Sequence, residues 1–251
     1  MSKNKKTIAL NGALGRMGTA ISDLCKTKKD FQISHAFEYP NHPRIGKELY
    51  SEKEKKKFSL KKVLIEEQKK DFEVDFIVDF STPDSAINLA RIASKLKIPF
   101  VTGTTGFTRS QLKNLKMLSK KIPILQSYNM SVGINVLLKI LIQNIEYFES
   151  TDLEITETHH KKKIDSPSGT AILMADTIRK SSKKKADINI NSIRKGSAVG
   201  EHTLISFGDQ ENIYITHEAL DRSIFATGAL VMGNKIIRKR NGFYTILDLL
   251  E

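Results

Sequence analysis

Five short apolar stretches, KTIALNG, FQISHAFE, VDFIVDFS, IPFVTGT and IPILQSY, recur through the first half of the chain, most with helix-length segments between them. Most are near-continuous apolar runs, which a strand carries only when both of its faces are buried. Such strands need helices above and below. Their alternation with amphipathic segments therefore predicts an α/β layer built on a parallel sheet. Helices are expected over residues 15–28, 84–96 and 109–120. The lysine-rich stretch between the second and third strands predicts a loop and one helix, over 58–70.

After about residue 130 the pattern changes. A long apolar helix is expected over 133–148, then DLEITETHH, which alternates as a half-exposed strand does. A helix over 169–182 precedes the strand candidates INSIRK, HTLISFG and NIYITHEA, whose short connections predict an antiparallel or mixed sheet. A last helix over 221–238 leads into GFYTILDLL. The chain reads as two α/β parts, crossing between them near 130 and 221, where hinge closure could operate.

The first turn carries the clearest motif. NGALGRMG sets Gly12, Gly15 and Gly18 where strand one becomes helix one, in the spacing G-x-x-G-x-x-G. This is a variant of the dinucleotide fingerprint, in which glycines let backbone approach a pyrophosphate at a helix N-terminus. Glu38 ends the second strand, where a carboxylate would accept hydrogen bonds from adenosine ribose hydroxyls. A carboxylate there repels a 2′-phosphate, while Arg16 in the loop could reach one, so the pattern leans to NADH or to dual use. The loops after the fourth and fifth strands bring Gly103, Thr104 and Thr105, and Ser127, Tyr128, Asn129 and Met130, to the same rim. In an open α/β sheet that rim is where ligands bind.

The second part holds EITETHHKKKIDSPSGTA, residues 154–171. Side chains so basic repel one another unless something negative sits among them. His159 and His160 point to opposite faces if the strand continues through both. Lys163 is close enough in sequence to reach the same space. Pro167 and Ser168 then start a helix, so that the N–H groups of Gly169 and Thr170 and the hydroxyls of Ser168 and Thr170 point at an anion. Imidazole, ammonium and helix N-terminus together make a cradle for a carboxylate, and a dicarboxylate would explain so many donors. The surrounding cations should keep His159 mostly neutral until such a ligand arrives. Two adjacent histidines lack helical i, i+4 spacing and Cys25 is far away in sequence, so no metal site is expected. No G-x-S-x-G nucleophile elbow is present.

The net charge of +13 raises the question of nucleic acid. Lysines in scattered runs carry most of it, without zinc-finger, RNP-like or basic-zipper patterns, and the expectation is a solvated surface with no nucleic-acid partner. Such a surface also draws in anionic small molecules. A single cysteine, Cys25, fits a reducing compartment, and no run approaches the roughly 18 apolar residues of a membrane helix. A soluble, cytoplasmic protein with no membrane partner is expected.

The stretches GALGRMG, VDFSTP, GTTGF, NMSVGIN, ETHHKKKIDSPSGTA, VGEHTLISFG, ITHEALDRSIFATGA and GFYTILDLL, in that order, resemble the dihydrodipicolinate reductase family. The string H-H-x-x-K-x-D-x-P-S-G-T is its most specific element. The resemblance implies a Rossmann-type dinucleotide-binding domain from residues 1–129 and 222–251, and a central mixed α/β domain, 130–221, that binds substrate and builds a homotetramer. It implies hydride transfer from NADH or NADPH to a cyclic dicarboxylate, 4-hydroxy-tetrahydrodipicolinate, with loss of water. By resemblance His159 is the proton donor or acceptor and Lys163 the second proton donor. His160, Lys163, Ser168, Gly169 and Thr170 would hold the substrate. Gly12, Ala13, Leu14, Gly15, Arg16, Met17, Glu38, Gly103, Thr104, Thr105, Ser127, Tyr128, Asn129 and Met130 would hold the cofactor. Two departures stand out: Ser166 where Ala is usual, and a shorter stretch between the 169–182 helix and VGEHT, at the tetramer interface that the resemblance implies. The rival readings are another two-domain nicotinamide enzyme, of aspartate or homoserine dehydrogenase type, and a non-catalytic dinucleotide-binding regulator.

Overall fold

The computed structural model describes residues 5–148, 150–183 and 187–250. They fall into two compact units, residues 1–130 with 225–251, and residues 131–224.

The first unit starts with β1 (Lys6–Asn11), α1 (Arg16–Thr27), β2 (Phe31–Phe37), α2 (Glu52–Phe58) and β3 (Ile65–Glu66). It continues through β4 (Phe76–Asp79), α3 (Pro83–Leu96), β5 (Phe100–Thr102), α4 (Arg109–Leu118) and β6 (Pro123–Gln126). Ile8, Leu10, Phe76, Ile77, Phe100, Val101, Ile124 and Leu125 are fully buried, which is why these strands read as continuous apolar runs. Each such side chain contributes about 1.5–3 kcal/mol by leaving water. Ile87, Leu89, Ala90 and Ala93 of α3 and Leu115 of α4 join Ile77, Phe100 and Ile124 in one cluster.

One expected element is corrected. Residues 58–70 are not a helix. Ser51 caps α2 by accepting from the Glu54 N–H, and Glu54 returns the bond in a capping box. That box starts the helix at Glu52, six residues early. Ser59, left-handed at φ 53°, ends it. Val63 and Ile65 then alternate inward, and β3 adds to the sheet beside β2.

The second unit holds α5 (Val132–Gln143), α6 (Ile145–Phe148), β7 (Asp152–His159), α7 (Gly169–Ser181), β8 (Ile188–Arg194), β9 (Gly200–Phe207) and β10 (Asn212–Ala219). The helix expected over 133–148 is broken at Asn144, whose Nδ2 donates to the Ile140 carbonyl at 2.8 Å. The sheet order is β10-β9-β7-β8, with β7 parallel to β8 and antiparallel to β9, so the mixed sheet is as expected. Helices α5 and α7 pack together, α5 against β10 and α7 against β7. The opposite face leaves Ile193, Tyr214 and Phe207 exposed.

The chain returns through α8 (Ser223–Ile236) and β11 (Gly242–Tyr244), which pairs parallel with β6. The first sheet is then seven-stranded and parallel throughout, in the order β11-β6-β5-β4-β1-β2-β3. Strand order reverses between β1 and β4, the switch point at which such sheets bind ligands beyond their carboxyl ends. Among the described residues no helix is long and apolar enough to cross a membrane.

Candidate active site

The glycine loop lies at that switch point. Gly12 has φ +74°, and a Cβ there would come within 2.4 Å of the Phe80 carbonyl oxygen. A Cβ on Gly18 would lie 2.1 Å from the Gly12 carbonyl oxygen, so only hydrogen lets α1 seat against its own loop. The Gly12 and Ala13 N–H groups donate to the Phe37 carbonyl at 3.0 and 3.2 Å. Glu38 accepts from the Leu14 N–H at 2.7 Å, so its carboxylate also braces the loop. A cavity of about 300 Å³ opens here, lined among others by Gly12, Leu14, Gly15, Glu38, Tyr39 and Ser81. Arg16 is exposed and Met17 half-buried.

Beneath the cavity lies a residue absent from the candidate site residues, although the VDFSTP stretch contains it. Asp79 is fully buried and accepts from Asn11 Nδ2 at 2.7 Å, Ser81 Oγ at 2.5 Å, Thr102 Oγ1 at 2.6 Å and Thr104 Oγ1 at 2.7 Å. Burial pushes its carboxyl above the ordinary range, and the four donors oppose that. One carboxylate thus ties together the ends of β1, β4 and β5. The signal was a charged residue inside an apolar strand, VDFIVDFS. Of the other rim residues, Thr104 is buried in this network, while Thr105 is exposed and the Gly103 N–H donates to the Asp79 carbonyl. The Ser127 hydroxyl donates to the Asn129 carbonyl at 2.8 Å, Tyr128 is exposed and Met130 is buried.

In the second unit β7 buries Leu153, Ile155, Glu157 and His159 in alternation. His159 closes the strand and hydrogen-bonds through Nδ1 to Glu157 Oε2. The other Glu157 oxygen accepts from Arg194 Nη2 at 2.7 Å and from the Ser168 N–H at 3.2 Å. His202, from β9, stands edge-on to His159 with ring centroids 5.1 Å apart, and its Nε2 is 3.0 Å from Ser168 Oγ. Burial would raise the Glu157 carboxyl, but Arg194 and His159 among its partners hold it at about 2. His159 is lowered chiefly by burial, with Lys163 and Arg194 pushing the same way and Glu157 opposing. His202 is pushed down to about 4, chiefly by burial.

Part of the crowded positive charge has an internal partner. Lys163 pairs with Asp165 at 2.7 and 2.8 Å, and Arg194 also donates to the Asp165 carbonyl. His160 lies beyond the strand, its Nε2 3.4 Å from Arg222 Nη2. Ser168 turns its hydroxyl inward, accepting from the Ala171 N–H and meeting His202, rather than facing an anion. Gly169 is exposed and Thr170 half-buried at the start of α7. The motif inventory also overlooked a trio: ligand atoms of Glu157, His159 and His202 lie within 4.8 Å of one another. Proton and guanidinium partners already engage them, since Glu157 holds Arg194 and the His159 N–H, and His202 holds Ser168. The alternation of β7 could have revealed Glu157; His202 and Arg194 come from strands distant in sequence.

His202 gives the fold a pH dependence. Its folded-state value of about 4 lies below the ordinary 6.5, so between these values the unfolded chain binds more protons and stability falls with falling pH. The expected slope approaches about 1.4 kcal/mol per pH unit. Urea unfolding at steps from pH 7 to 4.5 should show the loss, and His202→Asn should flatten it. An unchanged slope in that variant would place the effect elsewhere.

A parallel sheet with a glycine loop and cavity at its switch point, joined to a mixed α/β unit with a buried His–Glu pair held by a half-buried Arg, defines a two-unit enzyme of dinucleotide-binding fold. The family model described as Dihydrodipicolinate reductase, N-terminus, matches residues 6–130, and that described as Dihydrodipicolinate reductase, C-terminus, matches residues 133–250. A 4-hydroxy-tetrahydrodipicolinate reductase of Buchnera aphidicola subsp. Cinara cedri is 39% identical over 99% of this chain and 98% of its own. One from Caldanaerobacter subterraneus subsp. tengcongensis is 34% identical over 97% of this chain and 98% of its own. The structure of a dipicolinate-bound dihydrodipicolinate reductase from Paenisporosarcina sp. TG-14 shares the fold, with TM-score 0.80 and 19% identity, covering 99% of this chain and all of that one. The chain belongs to the dihydrodipicolinate reductase family, and is an oxidoreductase.

Proposed function

We propose that the chain reduces 4-hydroxy-tetrahydrodipicolinate to tetrahydrodipicolinate, with loss of water, in the route to diaminopimelate and lysine. The observation that carries this reading is the buried His159 at the end of β7, with Lys163 and the N-terminus of α7 in the same short segment. The names of the relatives favour it over an aspartate or homoserine dehydrogenase. A reduced nicotinamide would supply the hydride when bound.

Gly12 to Met17, Glu38, Gly103 to Thr105 and Ser127 to Met130 would hold the dinucleotide. The left-handed Gly12, and the cavity bounded by Gly15 and Glu38, support a phosphate and ribose there. A carboxylate at Glu38 favours NADH, or use of both cofactors.

His159 would give up a proton as negative charge builds on the ring, with Lys163 as second donor. A substrate carboxylate would take the place of Asp165 on Lys163, with His160, Gly169 and Thr170 completing the cradle and Ser168 holding it from behind. Residues 130–221 would also build a homotetramer through the exposed sheet face with Ile193, Phe207 and Tyr214. The cytoplasm is the compartment that fits: Cys25 is buried and its thiol is pushed up to about 12 by burial.

Consumption of reduced cofactor tests this, with substrate made in place from pyruvate and aspartate semialdehyde by a dihydrodipicolinate synthase. Turnover should require the synthase and should be at least as fast with NADH as with NADPH. Folded protein that binds NADH but turns over nothing would overturn the assignment. A strong NADPH preference would overturn the reading of Glu38.

A further inference from the structure

We propose that Glu157 is the positioning residue for His159, fixing its tautomer and basicity through Nδ1. This rests on the reading of His159 as the proton donor. Glu157 is fully buried and accepts three times, from the His159 ring, the Arg194 guanidinium and the Ser168 N–H. Held ionised by these partners, it is an acceptor only. His159 Nδ1 must therefore carry hydrogen, and the proton exchanged with a ligand sits on Nε2. That nitrogen faces Gly200, where even a Cβ would come within 2.9 Å.

The charges facing the imidazole are Glu157 on its own strand, Arg194 on β8, Lys163 in the following loop and His202 on β9. Only Glu157 favours the imidazolium. Arg194 shares the same carboxylate and moderates its pull. The segment between β7 and α7 adds the Ser168 N–H, which locks the carboxylate in place.

Glu157→Gln separates position from charge. The amide oxygen can serve Arg194 and Ser168, leaving its NH2 toward His159, which would turn Nδ1 into an acceptor and move the proton to Nε2. Nitrogen-15 NMR of the His159 ring, assigned against His159→Gln, should show Nδ1–H in the native protein and Nε2–H in the variant. Turnover should fall about 10–100-fold, the scale of lost outer-shell partners, with KM changed less than about threefold. The alkaline limb of the kcat profile should move to lower pH, because the stabilising anion is gone. A neutral native ring that carries its hydrogen on Nε2 instead of Nδ1 would overturn the proposal. So would a Gln variant of unchanged tautomer, turnover and pH profile. Should the Gln variant not fold, Glu157→Asp serves: its shorter carboxylate should retain the Nδ1–H tautomer, and Nε2–H there would count against the proposal. The NMR result needs no turnover, so failure of the assigned reaction and failure of this inference are distinguishable.

Discussion

Replacing His159 by Gln is expected to reduce turnover by about 10²-fold or more while leaving the fold intact. A positioned acid contributes about 10²–10⁴-fold, because it delivers its proton as charge develops. Gln is close in size and can hydrogen-bond to Glu157, but it has no proton to give near neutrality. The loss should therefore fall on kcat, with a smaller change in KM. Because burial lowers the native imidazole, the native enzyme should lose activity as pH rises through the value His159 takes with substrate bound. The variant should lack that limb. Turnover close to the native level would remove His159 from the mechanism. Thermal unfolding of both proteins checks that the effect is chemical.

Gly18→Val should have the second large effect, and on the other unit. Its Cβ would meet the Gly12 carbonyl oxygen at 2.1 Å and the Ala13 carbonyl group at 2.6 Å, all backbone. No rotamer relieves such a contact, so α1 must lift from the loop or the loop must deform. Overpacking of this kind costs about 1–3 kcal/mol. Falling on the loop geometry, that corresponds to roughly 5–150-fold in dinucleotide affinity. NADH titration by fluorescence or calorimetry reads it, with Gly169→Ala as a control because a Cβ there meets nothing within 4 Å. Undiminished NADH binding by Gly18→Val would mean that the glycine loop is not the phosphate cradle.

Much of the architecture is legible in the sequence. The near-continuous strands foretold the parallel sheet, and the change of pattern after residue 130 foretold a mixed one. The segment missed, 58–70, shows the limit of reading by composition. Its lysines suggested a helix, but helix starts are decided by caps, and the Ser51–Glu54 box lies upstream. Likewise Asn144 interrupts the apolar helix because its side chain competes for the Ile140 carbonyl.

The sequence by itself determined those features whose cause is short-range: strand and helix period, the G-x-x-G-x-x-G turn, and the HHKKKIDSPSGT segment that carries His159, Lys163 and the start of α7. Period two along β7 also implies that Glu157 shares a face with His159, though no motif singled it out. Only the tertiary structure decided what surrounds them. Asp79 gathers hydroxyls and an amide from three strand ends because β4 lies between β1 and β5. His159 meets Arg194 and His202 because β7 lies between β8 and β9. Neighbourhood within a sheet is set by long-range pairing, which local periodicity does not encode. The residues that supply chemistry could therefore be read along the chain, whereas those that tune their charge could be found only across it.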